Sequence, residues 1–302
     1  MDKSLLVYNR LASKGKLKYS LNEVEQALKN ENILIDSVQT EHGGHGIELV
    51  ENAVKEGYTR LIVVGGDGTV NESVNGMIRA QKKGYGKTAL GIIQNGRGND
   101  FAYSAKIPGD LTSAIGMIKR DHRIPLDVGY VKADGGERYF CNSTGLGFDA
   151  AINSYASRSK FTGFASYGYG LFKALFTDFK KVPAKISWDG GELNMKVLIM
   201  VAMNGKREGG GFILAPDFDL QDGKLDICIV GGEKQILKLL PLIPRFIKGN
   251  IDHPDIISFK TNWVKAEFEG TGSHGQADGE ILCTDGNDFY AEICPEKIDL
   301  IC

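Results

Sequence analysis

The run Leu61-Ile62-Val63-Val64-Gly65-Gly66-Asp67-Gly68-Thr69-Val70-Asn71-Glu72 decides how this chain is read. Its first four residues are continuously apolar, as in a strand buried on both faces of a parallel sheet. Three glycines and an acid follow, and a helical pattern begins at Val70. Glycine lets the backbone approach a ligand closely and take positive φ. Amide N–H groups at a helix start, reinforced by the helix dipole, attract phosphate. Thr69 and Glu72 have the spacing of a capping box. Asp67 sets a carboxylate beside such a phosphate, which makes sense if Mg²⁺ bridges the two. The plain alternative is a tight strand–helix turn with no ligand, but a turn rarely needs three glycines and an acid together. A P-loop is excluded because no lysine follows. A Rossmann fingerprint is excluded because Asn71 sits where the third glycine belongs.

The flanks repeat the strand–helix alternation. Leu5 to Tyr8 reads as a strand, and Ser20-Leu21-Asn22-Glu23 as a capping box that opens a helix to about Lys29. Ile33 to Val38 is the next strand, Gly46 to Glu56 a helix, and Ala89 to Ile93 another strand. This rhythm predicts a parallel sheet with right-handed crossovers. The strand at Ala89 ends in a second polar loop, Asn95-Gly96-Arg97-Gly98-Asn99-Asp100. Ligands of such sheets gather at the carboxyl ends of the strands, where both loops fall. Arg97 adds a charge suited to phosphate.

After Pro125 the pattern changes to strand after strand. Val182 to Trp188 and Leu193 to Met203 flank Asp189-Gly190-Gly191, and an Asp-Gly pair in that setting signals a hairpin. Further runs lie at Leu225 to Val230, Ile257 to Lys260, Val264 to Phe268 and Phe289 to Ile293. The expected division is an α/β domain over 1–127 and a mostly β domain over 128–288, with a last strand within about 289–302 returning to the first domain.

Composition bounds the classes. The chain has 302 residues, with 36 basic against 38 acidic, a net charge of −2 that lacks the bulk basicity of nucleic-acid binders. Hydrophobic residues at 42% and charged residues at 25% fit a globular protein with a proper core. Five scattered cysteines without a CxxC read as free thiols of a reducing cytosol. No apolar stretch approaches the ~20 residues of a membrane span, and the first apolar run is too short for a signal peptide. Glycine is 39 of 302, well above average, without a collagen period.

Taken together, GGDGTVNE at 65–72 and GRGNDFA at 96–102 resemble the diacylglycerol kinase catalytic domain family, which includes bacterial lipid kinases and sphingosine kinases. Asn9, Thr40 with Gly44-His45, Asn142 to Asp149, Asn204-Gly205, Gly209 to Gly211, Ala215-Pro216, Asp222-Gly223 and Ala277-Asp278-Gly279-Glu280 agree with it in order, over nearly the whole chain. The resemblance implies a doubly wound three-layer α/β domain that binds ATP, a C-terminal β-sandwich for the lipid, and transfer of the γ-phosphate to a lipid hydroxyl, with diacylglycerol favoured. It implies Asp278 as general base, with Glu280 as its catalytic neighbour. It implies Asp67, Asp100 and Glu280 around the catalytic Mg²⁺ and Asp222 at a structural one. Asn9, Thr40, Gly65, Gly66, Asp67, Gly68, Thr69, Glu72, Asn95, Gly96, Arg97, Gly98 and Asn99 would line the nucleotide. The resemblance further implies a cytoplasmic homodimer in peripheral contact with the inner membrane surface.

Three departures from the family pattern stand out: Arg10 for proline, Gln94-Asn95 with Arg97 for Pro-x-Gly-Thr, and Gln221 for an aspartate. Lys234 to Asn250 is basic and apolar without an acid; it suits an anionic bilayer surface or a core helix pair with a basic exposed side, and Pro241 and Pro244 interrupt a regular helix. Tyr155 to Phe179, carrying Tyr167, Tyr169, Phe172 and Phe176, suits an acyl-chain cleft or helical core packing. A small-molecule kinase of the NAD kinase type shares GGDG and is the competing reading; a catalytically silent nucleotide or lipid binder is the third.

Overall fold

The computed structural model describes residues 3–12, 17–147, 155, 159, 169–170, 173, 181–232, 241–270 and 273–302. The chain forms two compact units, Met1–Val128 with Pro295–Cys302, and Gly129–Cys294.

The first unit runs β1 (Ser4–Tyr8), α1 (Leu21–Asn30), β2 (Asp36–Gln39), α2 (His45–Lys55), β3 (Arg60–Gly65), α3 (Asp67–Lys82), β4 (Ala89–Gln94), α4 (Asp100–Ser104), α5 (Leu111–Arg120) and β5 (Arg123–Leu126). The sheet order is β2-β1-β3-β4, then β19 (Ile298–Ile301), then β5. The first five strands in that order are parallel to their neighbours; β5 is antiparallel to β19. Strand alternation sends Leu6, Tyr8, Ile62, Val64 and Ile93 to one face, where Val24 and Leu28 of α1 and Ala114, Ile115 and Ile118 of α5 cover them. The other face carries α2 and α3, which pack on each other and on β1 and β3. Gly76 permits that helix contact, since a Cβ there would lie 2.6 Å from the Ile47 carbonyl oxygen. Full burial of each of these aliphatic side chains contributes ~1.5–3 kcal/mol, so the sheet faces hold the unit together.

Local signals explain most boundaries. Ser20 caps α1 with the reciprocal Glu23 bond, as its spacing predicts. The expected strand Ile33 to Val38 is displaced: Ile33 is buried in the core as irregular chain, and pairing with β1 starts at Asp36. The expected return of 289–302 also starts later. Asp288–Ile293 pairs with two strands of the second unit, and only the segment from Pro295 belongs to the first. Alternation along Phe289 and Ala291, both buried among second-unit side chains, is what keeps that strand there.

The second unit contains β6 (Gly129–Ala133), β7 (Gly136–Phe140), β8 (Ser143–Gly147), β9 (Val182–Trp188), β10 (Gly191–Met203), β11 (Arg207–Glu208), β12 (Phe212–Ile213), β13 (Leu225–Gly231), α6 (Ile243–Ile247), β14 (Ile256–Thr261), β15 (Trp263–Phe268), β16 (Ser273–Ala277), β17 (Glu280–Gly286) and β18 (Asp288–Ile293). Its main sheet follows β17-β16-β8-β10-β9-β15-β18-β6-β7, with β13 and β14 branching from β10, and its pairings are antiparallel. The long β10 pairs β9 through its first half, then β8 and β13 through its second. Met200 and Ala202 of β10 join one core, and Leu198, Val201 and Met203 join another.

Of the basic segment 234–250, residues 234–240 lie outside the described part. In the rest, Leu242 and Phe246 are buried in the second unit's core, and Arg245 donates to Asn250 Oδ1 at 2.9 Å and to the Asp252 carbonyl. That portion therefore has the packing of a core element, with Ile247 exposed. Of the aromatic run, Tyr155 packs beside the same core and Tyr169 is exposed; Tyr167, Phe172, Phe176 and Phe179 lie outside the described residues. None of the five cysteines forms a disulfide. Among the described residues no helix is long and apolar enough to cross a membrane.

Candidate active site

In the first unit the parallel strands end at one edge of the sheet, and each delivers a predicted residue there. Asn9 follows β1, Thr40 follows β2, Gly65 ends β3 and leads to Gly66 and Asp67, and Asn95 to Asp100 follow β4. The two glycine loops touch backbone to backbone. A Cβ on Gly66 would lie 2.9 Å from Gly96 Cα, and one on Gly96 would strike Gly66 Cα and come within 2.6 Å of Asn99 Oδ1. Asn99 itself takes φ 50°, a left-handed conformation that asparagine tolerates, and returns an Nδ2 bond to the Gly96 carbonyl.

Gly66 caps α3, so the helix opens at Asp67 with Gly68 in its first turn, three residues before Val70. Thr69 therefore sits inside the helix rather than at its cap. Its hydroxyl accepts from Asn9 Nδ2 at 2.8 Å, and its side chain occupies the place a Cβ on Gly65 would need. The expected capping box is thus absent. Glu72 is engaged elsewhere: its two carboxylate oxygens accept from the Gly44 and Gly46 N–H groups at 2.8 and 2.9 Å, at the start of α2. It ties the Thr40–His45 segment to α3 and compensates the positive end of α2.

Asn95 is buried at the end of β4 and turns its side chain to the 18–19 segment. Its Oδ1 accepts from the Lys18 and Tyr19 N–H groups, and its Nδ2 donates to the Tyr19 carbonyl. That side chain pins the 17–19 segment to the end of β4. Thr40 is buried and joined to β1 through its N–H and the Tyr8 carbonyl. Arg97 is half-buried in the loop.

Asp67 and Asp100 converge on Gly98. An ideal Cβ on Gly98 would lie 3.0 Å from Asp67 Oδ2 and 3.6 Å from Asp100 Oδ2, while Asp67 Oδ1 accepts from the Phe101 N–H at 3.1 Å. Among the described residues no three or more Asp, Glu, His or Cys side chains gather as a metal site. Two carboxylates beside an amide-rich helix start do fit Mg²⁺ of the kind held by one or two carboxylates plus substrate phosphates.

In the second unit, Asp278-Gly279 forms the two-residue turn between β16 and β17, closed by the Ala277–Glu280 pair. Both turn residues have positive φ, 47° and 84°, the sense of a type I′ hairpin, for which Asp-Gly is a preferred pair. The Asp278 N–H donates to the Ser143 carbonyl at 2.8 Å. Its carboxylate returns to the same segment: Oδ1 accepts from the Asn142 and Ser143 N–H groups, and Oδ2 from the Cys141 N–H, all at 2.9 Å. The Cys141 thiol donates to Oδ2 at 3.3 Å. Behind it, Gln276 accepts from the Gly279 N–H and donates to buried Glu208, and Asn204 Nδ2 donates to the Cys141 carbonyl. Asp278 is buried, whereas Glu280 is exposed on the far side of the turn. Cys141 and the 141–143 amides were not anticipated as its partners, because only register across β8 and β16 brings residues more than 130 positions apart together.

Asp222 stands apart from this cluster. Its Oδ1 accepts from the Lys224 N–H at 3.0 Å, and its Oδ2 pairs with Lys260 Nζ at 2.7 Å. Lys260 also reaches Asp226 at 3.4 Å. Burial pushes the Asp226 carboxyl up despite that lysine. Burial lowers Lys260, but its two acidic neighbours outweigh this and hold it above the usual lysine range. The Asp-Gly turn acid is thus compensated by an ammonium.

The diacylglycerol kinase catalytic domain family matches residues 3–131, and the YegS C-terminal NAD kinase beta sandwich-like domain family matches residues 142–302. This chain belongs to that diacylglycerol kinase–YegS family. Among the family's curated members, it is 29% identical over 300 residues to a Klebsiella pneumoniae protein named probable lipid kinase YegS-like, covering 98% of this chain and 94% of that one. It is equally identical over 299 residues to the probable lipid kinase YegS of Escherichia coli O127:H6, with the same coverage. A Bacillus anthracis diacylglycerol kinase structure superposes with a TM-score of 0.74 at 23% identity, covering 99% of this chain and 96% of that one. An Archaeoglobus fulgidus NAD kinase in complex with ATP shares the fold more distantly, with a TM-score of 0.51 at 11% identity over 99% and 93% of the two chains.

Proposed function

We propose that this member of the diacylglycerol kinase–YegS family is an ATP-dependent lipid kinase that transfers the γ-phosphoryl group to the hydroxyl of diacylglycerol, giving phosphatidic acid and ADP. The observation that carries the reading is Asp278, a carboxylate fixed by three consecutive backbone amides at a turn whose φ values only a few residue types accept. A base needs a defined position within hydrogen-bond reach of the proton it takes.

The first unit supplies the donor side. Its glycine loops bring two stretches of backbone together beside the start of α3, where the helix dipole favours phosphate. Asn9, bonded to Thr69, and Glu72, bonded to α2, hold the loops in register. Asp67 and Asp100 are the carboxylates that would hold Mg²⁺, which when bound neutralises charge on the phosphates. The second unit supplies the acceptor side. Asp278 takes the hydroxyl proton as the new oxygen–phosphorus bond forms, and ADP departs. A diacylglycerol acceptor resides in a bilayer, so the protein works in peripheral contact with a membrane.

Labelled ATP, Mg²⁺ and a panel of diacylglycerol, ceramide, sphingosine and NAD test this directly. Phosphate should appear on diacylglycerol. Phosphorylation of NAD alone would replace the reading with that of a small-molecule kinase.

A further inference from the structure

The bonds that hold Asp278 bear on how it can act. A carboxylate has about four lone-pair positions on its two oxygens. Oδ1 receives two N–H groups, and Oδ2 receives one N–H and one S–H. Three of these donors are the backbone N–H groups of residues 141–143, the last of which opens β8, and they cannot withdraw without moving the main chain. The fourth is the Cys141 side chain, which can withdraw its hydrogen by rotation about Cβ–Sγ. It is also the weakest of the four, since a thiol is a poor donor. An acceptor hydroxyl must donate to this carboxylate before its proton can pass.

We propose that the Cys141 thiol is a positioning residue for the acceptor: it occupies the Oδ2 lone pair that the substrate hydroxyl needs and yields it when that hydroxyl arrives. The inference rests on the reading of Asp278 as the base. In the step, the alcohol O–H replaces S–H at Oδ2. Its proton moves to Oδ2 as its oxygen bonds to the γ-phosphorus and the bond to the ADP oxygen breaks. The thiol keeps its own proton throughout.

Two substitutions give opposite signs. Cys141→Ser installs a stronger O–H donor at Oδ2, and kcat/KM for diacylglycerol should fall about tenfold. Cys141→Ala removes the competitor, and the same parameter should rise up to about threefold. KM for ATP should stay within about twofold of wild type in both. A merely structural thiol predicts that the two variants move in the same direction, and that result overturns the proposal. Cys141→Val, which fills the volume without a donor, takes the place of alanine if that variant melts early.

A second measurement does not depend on turnover. The infrared difference between wild type and Cys141→Ala isolates one S–H stretch, which should lie lower in frequency than in an Asp278→Ala background. A band at the same position in both backgrounds overturns the contact. If wild type phosphorylates no lipid alcohol, the proposed function falls and the thiol's acceptor role with it. If wild type is active and both variants are impaired alike, only the thiol's role falls.

Discussion

Replacing Gly96 with alanine would drive a methyl group into the point where the two glycine loops meet. The new Cβ would overlap Gly66 Cα and lie 2.6 Å from Asn99 Oδ1 and 3.0 Å from the Gly66 nitrogen, where ordinary contact begins at 3.4 Å. Two of these three atoms are backbone, so no rotamer change relieves the overlap. The loops must part by roughly 1 Å, a misplacement able to cost about 10²-fold in rate when it separates reacting groups. The overpacking itself costs about 1–3 kcal/mol. Melting should therefore drop by roughly 2–12 °C, at about 2–4 °C per kcal/mol. ATP affinity, measured by calorimetric titration, should fall by at least about tenfold, and lipid phosphorylation by about 10². Gly109→Ala is the matched control, because nothing lies within 4 Å of a Cβ there. If Gly96→Ala binds ATP as wild type does, the glycine contact does not shape the nucleotide site, and the reasoning from backbone approach is wrong.

Other substitutions separate the remaining roles. Asp278→Asn turns one acceptor oxygen into an NH₂ facing backbone donors, so kcat for lipid phosphorylation should drop about 10²–10⁴-fold with ATP binding intact; activity near wild type would remove Asp278 as base. Glu72→Gln withdraws a negative charge from the start of α2, and a loss of about 1 kcal/mol, seen as a melting shift of roughly 3 °C, should appear before any change at Asp278; an unchanged melting curve would dismiss its capping role. Asp226 carries the pH signature. Its carboxyl is raised by burial, so it binds its proton more readily folded than unfolded, and its stabilisation is present at low pH and lost as pH rises through the ordinary carboxylate value toward the raised one. Asp226→Asn should therefore melt higher than wild type at pH 7, with the gap closing below about pH 4; a gap that widens on acidification would contradict the sign.

The sequence and the structure agree where a local signal meets no competing partner. The Ser20–Glu23 box closes within four residues, and α1 follows it. The Asp-Gly pair at 189–190 marked the hairpin that joins β9 to β10. The Thr69–Glu72 box had the same spacing yet did not form. Gly66 already caps α3, which leaves Thr69 to Asn9 and Glu72 to the amides of α2. Asn95 followed the same course: its type suited a phosphate loop, and a distant backbone segment claimed its amide. β6 to β8, β16 and β17 were not read at all, since Gly145, Gly147 and Gly275 interrupt the apolar alternation. Their pairing is fixed across the sheet rather than along the chain. The candidate site was therefore legible as a set of residue types, and its wiring was legible only in three dimensions.

The strand Ile298–Ile301 wedges between β4 and β5, with Ile298, Leu300 and Ile301 fully buried there. During synthesis the ribosome delivers β5 some 170 residues before it delivers that wedge, so β4 and β5 wait with raw edges while the whole second unit emerges. A nascent chain assembled this way closes the sheet beneath its glycine loops only after the second unit has been made.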